Sequence, residues 1–419
     1  MTELGPSACL FYILDKDFAF YVQSRIELDE PVDHDQMQHA LDMTISRYPY
    51  FKVKLVKNGE RYCLDVNDKP FLLYDDPESM TLAPAANNDY LLRVSAVGRL
   101  LNVCFCHAMT DGRGLLPFIK TLLYYYSLYH YNTDPEMSDV RLAGDKIPEE
   151  EVADPFAAFD TSSIKIPEQK SDVPAVFRLP NEIDPEKRVF TYTFWTDCDK
   201  FMDYSRSIDG SPNALLSLYM CRALAQIYPE HIDDIVTGVA CDLRKALGVK
   251  NSHQCTVSMI PIRYGKKLAG FDTSRAETVI RGRILVGSDE DFIKPSIAQS
   301  KMFYAYINSQ PTLQKKAAVS KGAVENGVCR ATASVSYPNK QDYGKMNSHI
   351  RSFYILCNSI KQSLGLEIAS FGNRFFFAVQ QGFDDDRYAD ELKHQMEIEG
   401  IECRDYKKTI LPNVPFMDL

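Results

Sequence analysis

Leu100-Leu101-Asn102-Val103-Cys104-Phe105-Cys106-His107-Ala108-Met109-Thr110-Asp111-Gly112-Arg113-Gly114 runs from an apolar strand into a glycine-bearing turn. Alternation puts Leu101, Val103, Phe105 and His107 on one face, and because both faces are apolar the strand is expected to be buried. It delivers His107 to its C-terminal end, where Thr110 to Gly114 must turn before a helix that opens near Leu115. Imidazole titrates near neutral pH and can be fixed in one tautomer by a backbone carbonyl, so a histidine held there suits a general base. The competing assignment is a structural histidine that only satisfies hydrogen bonds near the core. Alternation turns Cys104 and Cys106 away from His107, which argues against a cysteine nucleophile.

Working outward, Phe18 to Leu28 reads as a strand, and Met37, Leu41 and Ile45 have helical spacing between Asp33 and Tyr48, with Asp33 and Asp35 as caps. Pro49 closes that helix. Phe51 to Val56 alternates as a half-buried strand and turns at Asn58-Gly59 into Tyr62 to Val66. Strands Leu91 to Val97 and Leu100 to Cys106 are joined at Gly98, and a helix from Leu115 to Tyr131 completes the unit. Seven prolines and many acids between Asn132 and Arg188 mark a linker.

Order resumes with a strand at Val189 to Trp195, a helix capped by Ser211 with Pro212 in its first turn and running to Tyr228, and a buried strand at Ile235 to Cys241. Later strands are expected at Ala331 to Tyr337, Ser352 to Asn358, Leu366 to Phe371 and Arg374 to Gln380, then a helix from Asp386 to Gly400. The class is α+β, two layered units in series. The first spans residues 1–180, with its acidic linker from about 132, and the second spans 181–419.

The chain of 419 residues exceeds the size at which one core stops growing, which agrees with two units. A net charge of −10 supplies no global basic field for nucleic acid or anionic lipid, so neither is expected as a partner. No secretory signal pattern opens the sequence and no apolar run approaches a membrane span, so a cytoplasmic protein without membrane insertion is expected. The 11 cysteines form no Cys-x-x-Cys pair and read as small buried hydrophobes; the 8 histidines show no helical metal pattern, and no metal is expected.

His107-Ala108-Met109-Thr110-Asp111-Gly112 resembles the His-x-x-x-Asp-Gly motif shared by chloramphenicol acetyltransferase, peptide-synthetase condensation domains, carnitine acyltransferases and plant acyl-CoA-dependent acyltransferases. The bacterial alcohol acetyltransferase-like branch looks closest. Leu4-Gly5-Pro6, Arg47 to Lys52, and Leu115 to Tyr126 resemble that superfamily's opening segment, helix-to-strand junction and helix after the histidine. Ser211 to Leu215, Val239 to Arg244 and Ser334 to Tyr337 resemble pieces of its second half.

The resemblance implies two lobes of the chloramphenicol-acetyltransferase type with an active-site tunnel between them. It further implies an acyltransferase that moves an acyl group, acetyl above all, from a CoA thioester to a hydroxyl or amine of a small-molecule acceptor. Acyl-CoA would be a co-substrate, with no tightly bound cofactor. His107 would be the base. Asp111 would be a structural anchor paired with a cation, for which Lys52 and Arg244 are the candidates, and Gly112 would allow a backbone shape closed to other residues. Gly112 and Gly114 also argue against a helix that would turn Asp111 toward His107. Thr332, Ser334 and Ser336 share a face, as they would on a solvent-facing strand; the resemblance favours Ser336 as donor to the developing oxyanion.

Two departures bear on substrate. Cys106 stands where condensation domains carry a second histidine, and the plant Asp-Phe-Gly-Trp-Gly motif is missing. The alternatives are therefore a condensation-type enzyme acting on groups bound to an acyl carrier protein, and a noncatalytic binding module. Lys315, Lys316 and Lys321 read as a solvated helix face rather than a coenzyme A contact.

Overall fold

Two apolar cores, each built on its own sheet, divide the chain. The computed structural model describes residues 6–14 (6–9 by backbone alone), 20–76, 82, 87–166, 175–231, 233–323, 331–338, 340–358 and 363–412. Leu4-Gly5, the strand start expected at Phe18, and the side chains of Cys9 and Cys329 lie outside the described residues.

The first half supplies β1 (Tyr21–Leu28), β2 (Val53–Asn58), β3 (Arg61–Val66), β4 (Leu73–Tyr74), β5 (Leu92–Val97) and β6 (Leu100–Cys106). Hairpins β2–β3 and β5–β6 turn at Gly59 and Gly98, both at positive φ, where glycine carries no steric penalty. Helix α1 (His34–Arg47) starts at Asp33, whose carboxylate accepts from Gln36 N at 3.0 Å, a cap worth about 1 kcal/mol. It buries Met37, Ala40, Leu41, Thr44 and Ile45 along one stripe. Helix α2 (Gly112–His130) begins three residues before the expected Leu115, because Asp111 caps it.

Part of the proline-rich stretch is packed against the first lobe. Its short helix α3 (Glu149–Val152) buries Glu151 between Arg47, with two bonds of 3.0 Å, and Arg141 at 2.9 Å. A buried carboxylate needs such compensation, and here the compensation fixes the stretch to the first lobe.

The second half supplies β7 (Val189–Asp197), β8 (Ile235–Asp242), β9 (Val257–Tyr264), β10 (Ala333–Ser336), β11 (Lys340–Gln341), β12 (Ile350–Cys357), β13 (Leu364–Phe371), β14 (Arg374–Gln381) and β15 (Arg404–Leu411). Helices α4 (Cys198–Ser207), α5 (Pro212–Ile227) and α6 (Arg244–Leu247) intervene. The Ser211 hydroxyl does not cap α5; the Ser211 N–H instead donates to the buried Glu277. Not anticipated from the sequence are β4, β9, β11, β15, the four-residue helices and three longer ones, α4, Thr273–Gly287 and Glu290–Ser309, whereas Leu313–Ala323 is the helix expected around Lys315 and Lys316.

The second sheet runs β15-β7-β14-β13-β10-β8-β9, and the first runs β12-β1-β6-β5-β4. Strand β12 thus leaves the second half and pairs antiparallel with β1, so residues 181–419 contribute an edge strand to the first lobe. The same segment puts Tyr343, Met346, Ile350 and Phe353 into the first core. The β6–α2 turn bearing His107 lies against the second lobe.

Among the described residues no helix is long and apolar enough to cross a membrane, and no three His, Cys, Asp or Glu side chains cluster as metal ligands. The nine cysteines with described side chains are free thiols, seven of them buried.

Candidate active site

Strand β6 ends at Cys106, paired with Tyr21 of β1, and the next N–H, that of His107, donates to Phe20 O at 2.8 Å. The Phe20 ring stacks on the imidazole at 4.8 Å and 16°, and Phe105 meets it edge-on at 6.2 Å. These rings limit the imidazole to few orientations. His107 keeps some accessible surface, yet its ring is deep enough that burial lowers its pKa. The charge of Asp111 and hydrogen bonds to the backbone of His107 and Thr110 act the other way without reversing the shift. The ring is therefore neutral at pH 7, as a base must be.

The turn after His107 is pinned to the second lobe. Asp111 is fully buried and its carboxylate has four partners: Gly114 N at 2.8 Å, Thr256 N at 2.9 Å, and the Arg244 guanidinium at 2.8 and 3.0 Å. With its acceptor sites so occupied, Asp111 is not the third member of a triad. Arg244 is itself 3% exposed, and its remaining donors go to Asp242 and the carbonyls of Ser252 and Gln254. A second ion pair joins Arg113 to Asp242 at 3.0 Å, so acid and base are exchanged crosswise between the lobes.

Two expectations need correction here. Lys52 does not hold Asp111: it closes the turn after Pro49, and its side chain makes no ion pair among the described residues. Gly112 has ordinary helical backbone, and a Cβ there would meet nothing within 4 Å. The glycine that the packing requires is Gly114, where a Cβ would overlap the His253 carbonyl oxygen and stand 2.5 Å from Thr110 Oγ1. Thr110 Oγ1 donates to that same carbonyl at 2.5 Å.

The segment before β9 adds groups that the sequence alone did not single out. Cys255 Sγ lies 3.8 Å from His107 Nδ1. His253 is buried and stacks on Tyr50 at 4.2 Å, with Nδ1 2.6 Å from the Glu151 carbonyl. Burial holds its pKa down to about 4, so it serves as a neutral structural ring. Long-range packing brings these residues together, and no local motif marks them.

Ser336 ends β10, half-buried, in parallel register with Glu367 of β13, so the two side chains are neighbours on one face of the sheet. Cys357 of β12 is within electrostatic range of both Glu367 and Cys255. Ser336 makes no hydrogen bond to His107. Cys104 and Cys106 are buried on the far side, the latter's thiol pushed up to about 12 by burial. Lys316, read as solvated, is buried, its ammonium donating to the Asn308 carbonyl at 3.0 Å. A cavity of about 720 Å³ opens at the other end of the interlobe seam, beside Arg25, Trp195 and Arg351, and His107 does not line it.

No protein-family model and no curated protein matches the sequence. Solved structures do match in fold. Polyketide synthase associated protein 5 from Mycobacterium tuberculosis superposes with a TM-score of 0.63 at 13% identity, covering 94% of this chain and 96% of that one. TRI101 of F. graminearum, complexed with coenzyme A and deoxynivalenol, gives 0.61 at 13% identity, covering 97% and 99%. The condensation domain of the Monacolin K polyketide synthase MokA gives 0.61 at 10% identity, covering 95% and 96%. The fold is the two-lobed architecture of chloramphenicol-acetyltransferase-like and condensation proteins. Near-complete coverage in both directions extends this likeness over both lobes.

Proposed function

We propose that the chain is an acyltransferase that moves an acyl group, acetyl in the simplest case, from acyl-CoA to a hydroxyl or amine, with His107 as general base. The observation that carries this reading is a neutral, partly accessible imidazole at a strand end, in a turn clamped to the second lobe by Asp111 and Arg244. Such a clamp holds the base in place without consuming its proton-accepting nitrogen. TRI101, a neighbour in fold, was crystallised with coenzyme A, which supports a CoA thioester as donor.

His107 removes the acceptor proton as its oxygen or nitrogen attacks the thioester carbonyl. A tetrahedral oxyanion forms, with the Ser336 hydroxyl as its donor. The C–S bond then breaks, and the imidazolium returns the proton to the leaving thiolate. No acyl-enzyme is needed. Asp111 and Gly112 belong to the turn and Arg244 to its second-lobe clamp rather than to the chemistry; residues 1–180 and 181–419 build the two lobes, with β12 of the latter crossing into the first.

The second reading, transfer from an acyl carrier protein, is favoured by the likeness to a polyketide synthase condensation domain. Release of free thiol from acetyl-CoA in the presence of alcohols and amines tests the first reading. Turnover only with carrier-bound acetyl groups would replace it with the second, and turnover with neither donor would leave a binding module.

A further inference from the structure

Glu367 occupies the centre of β13, between the fully buried Leu366 and Ile368, which point into the second core. Its own side chain turns to the opposite face, where its register partner across the parallel pair is Ser336. From β12 it faces the Cys357 thiol, and from β14 it is paired with Ala378. Its titration is governed by burial, which raises it, and by the Ser336 hydroxyl, which lowers it; no cation contributes. Glu367 keeps some accessible surface, but its carboxyl lies deep enough that burial outweighs the hydroxyl and pushes it up to about 8. At neutral pH Glu367 is a carboxylic acid, and so a donor.

We propose that Glu367 is the positioning residue for Ser336: its carboxylic acid donates to Ser336 Oγ and leaves the Ser336 O–H free to point at the developing oxyanion. This rests on the acyl-transfer reading above. A serine hydroxyl has one proton, so what it donates to depends on what donates to it. When Glu367 ionises, the carboxylate becomes acceptor-only and captures the Ser336 O–H. The oxyanion then loses its donor, with no change in covalent structure. The sheet register makes the pair rigid, because Ser336 and Glu367 sit on hydrogen-bonded neighbouring strands rather than on loops.

The test is a pH profile of kcat/KM with acetyl-CoA and a primary alcohol, whose own hydroxyl does not titrate in the range, for wild type and Glu367→Gln. The glutamine amide donates to Ser336 Oγ at every pH and so mimics the acid form. Wild type is expected to lose activity above a midpoint near 8, by about tenfold per pH unit, while Glu367→Gln stays flat there. A wild-type profile that stays flat, or a limb that survives in Glu367→Gln, overturns the proposal while His107-dependent turnover keeps the acyl-transfer reading intact. Infrared difference spectra give a readout independent of turnover. A protonated-carboxyl band that disappears with the same midpoint and is missing from Glu367→Gln is expected; no such band in wild type overturns the proposal even if no acceptor is turned over.

Discussion

The guanidinium of Arg244 grips the Asp111 carboxylate through two bonds of 2.8 and 3.0 Å, joining residues 133 positions apart in two different lobes. Both side chains are buried; removing Arg244 leaves Asp111 charged with only backbone donors, and removing Asp111 leaves Arg244 with Asp242 as its one counter-charge among the described residues. Arg244→Met or Asp111→Ala is expected to cost about 3 to 5 kcal/mol, read as a fall in denaturation midpoint. The double substitution should cost less than the sum of the two. Full additivity would mean that the pair is not a coupled unit.

Gly112 and Gly114 differ in what surrounds them, and their alanine variants should differ accordingly. Gly112→Ala places a methyl in open space on the first helical residue and should change stability by less than about 1 kcal/mol. Gly114→Ala drives a methyl into the His253 carbonyl and should cost at least about 1 to 3 kcal/mol. Equal thermal midpoints for the two variants would contradict the packing described.

The lowered pKa of His107 sets both an activity limb and a stability window. Activity needs the neutral ring, so the acid-side decline of kcat/KM should have its midpoint below that of an unperturbed imidazole. Between the folded and unfolded pKa values the unfolded chain binds more protons, so this residue's contribution to stability rises with pH across that window and is lost as pH falls through it. An acid limb centred above pH 7 would mean that the ring is not desolvated as found.

Cys255 stands 3.8 Å from His107 Nδ1, close enough to raise the question of a thiol nucleophile. Direct transfer requires none. Cys255→Ser should retain turnover within about tenfold, and intact-protein mass spectra of wild type with acetyl-CoA should show no added acetyl group. A stable acetyl adduct lost in Cys255→Ser would establish a covalent route instead.

Much of this site was legible in the sequence because its key elements are local. The alternation of Leu101, Val103 and Phe105 marks β6, Gly59 and Gly98 mark hairpins, and His107 follows at the strand end. The early start of α2 was hidden because Gly112 and Gly114 look like helix breakers, whereas Asp111 offsets that cost by capping. Pro295 inside Glu290–Ser309, and the glycines at 282 and 287, similarly disguised helices that tertiary packing supports. What sequence could not supply is contact across lobes. Nothing local in Glu151, Cys255 or Glu367 reveals its partner, and the alternation of β12 gives a strand without saying which sheet it enters.

The most direct test of His107 is the initial rate of thiol release from acetyl-CoA over a panel of alcohols and amines, for wild type and His107→Ala, with thermal midpoints confirming that both are folded. Loss of the base should lower the acceptor-dependent rate by about 10² to 10⁴ while the fold persists. An unchanged rate in folded His107→Ala would contradict the mechanism.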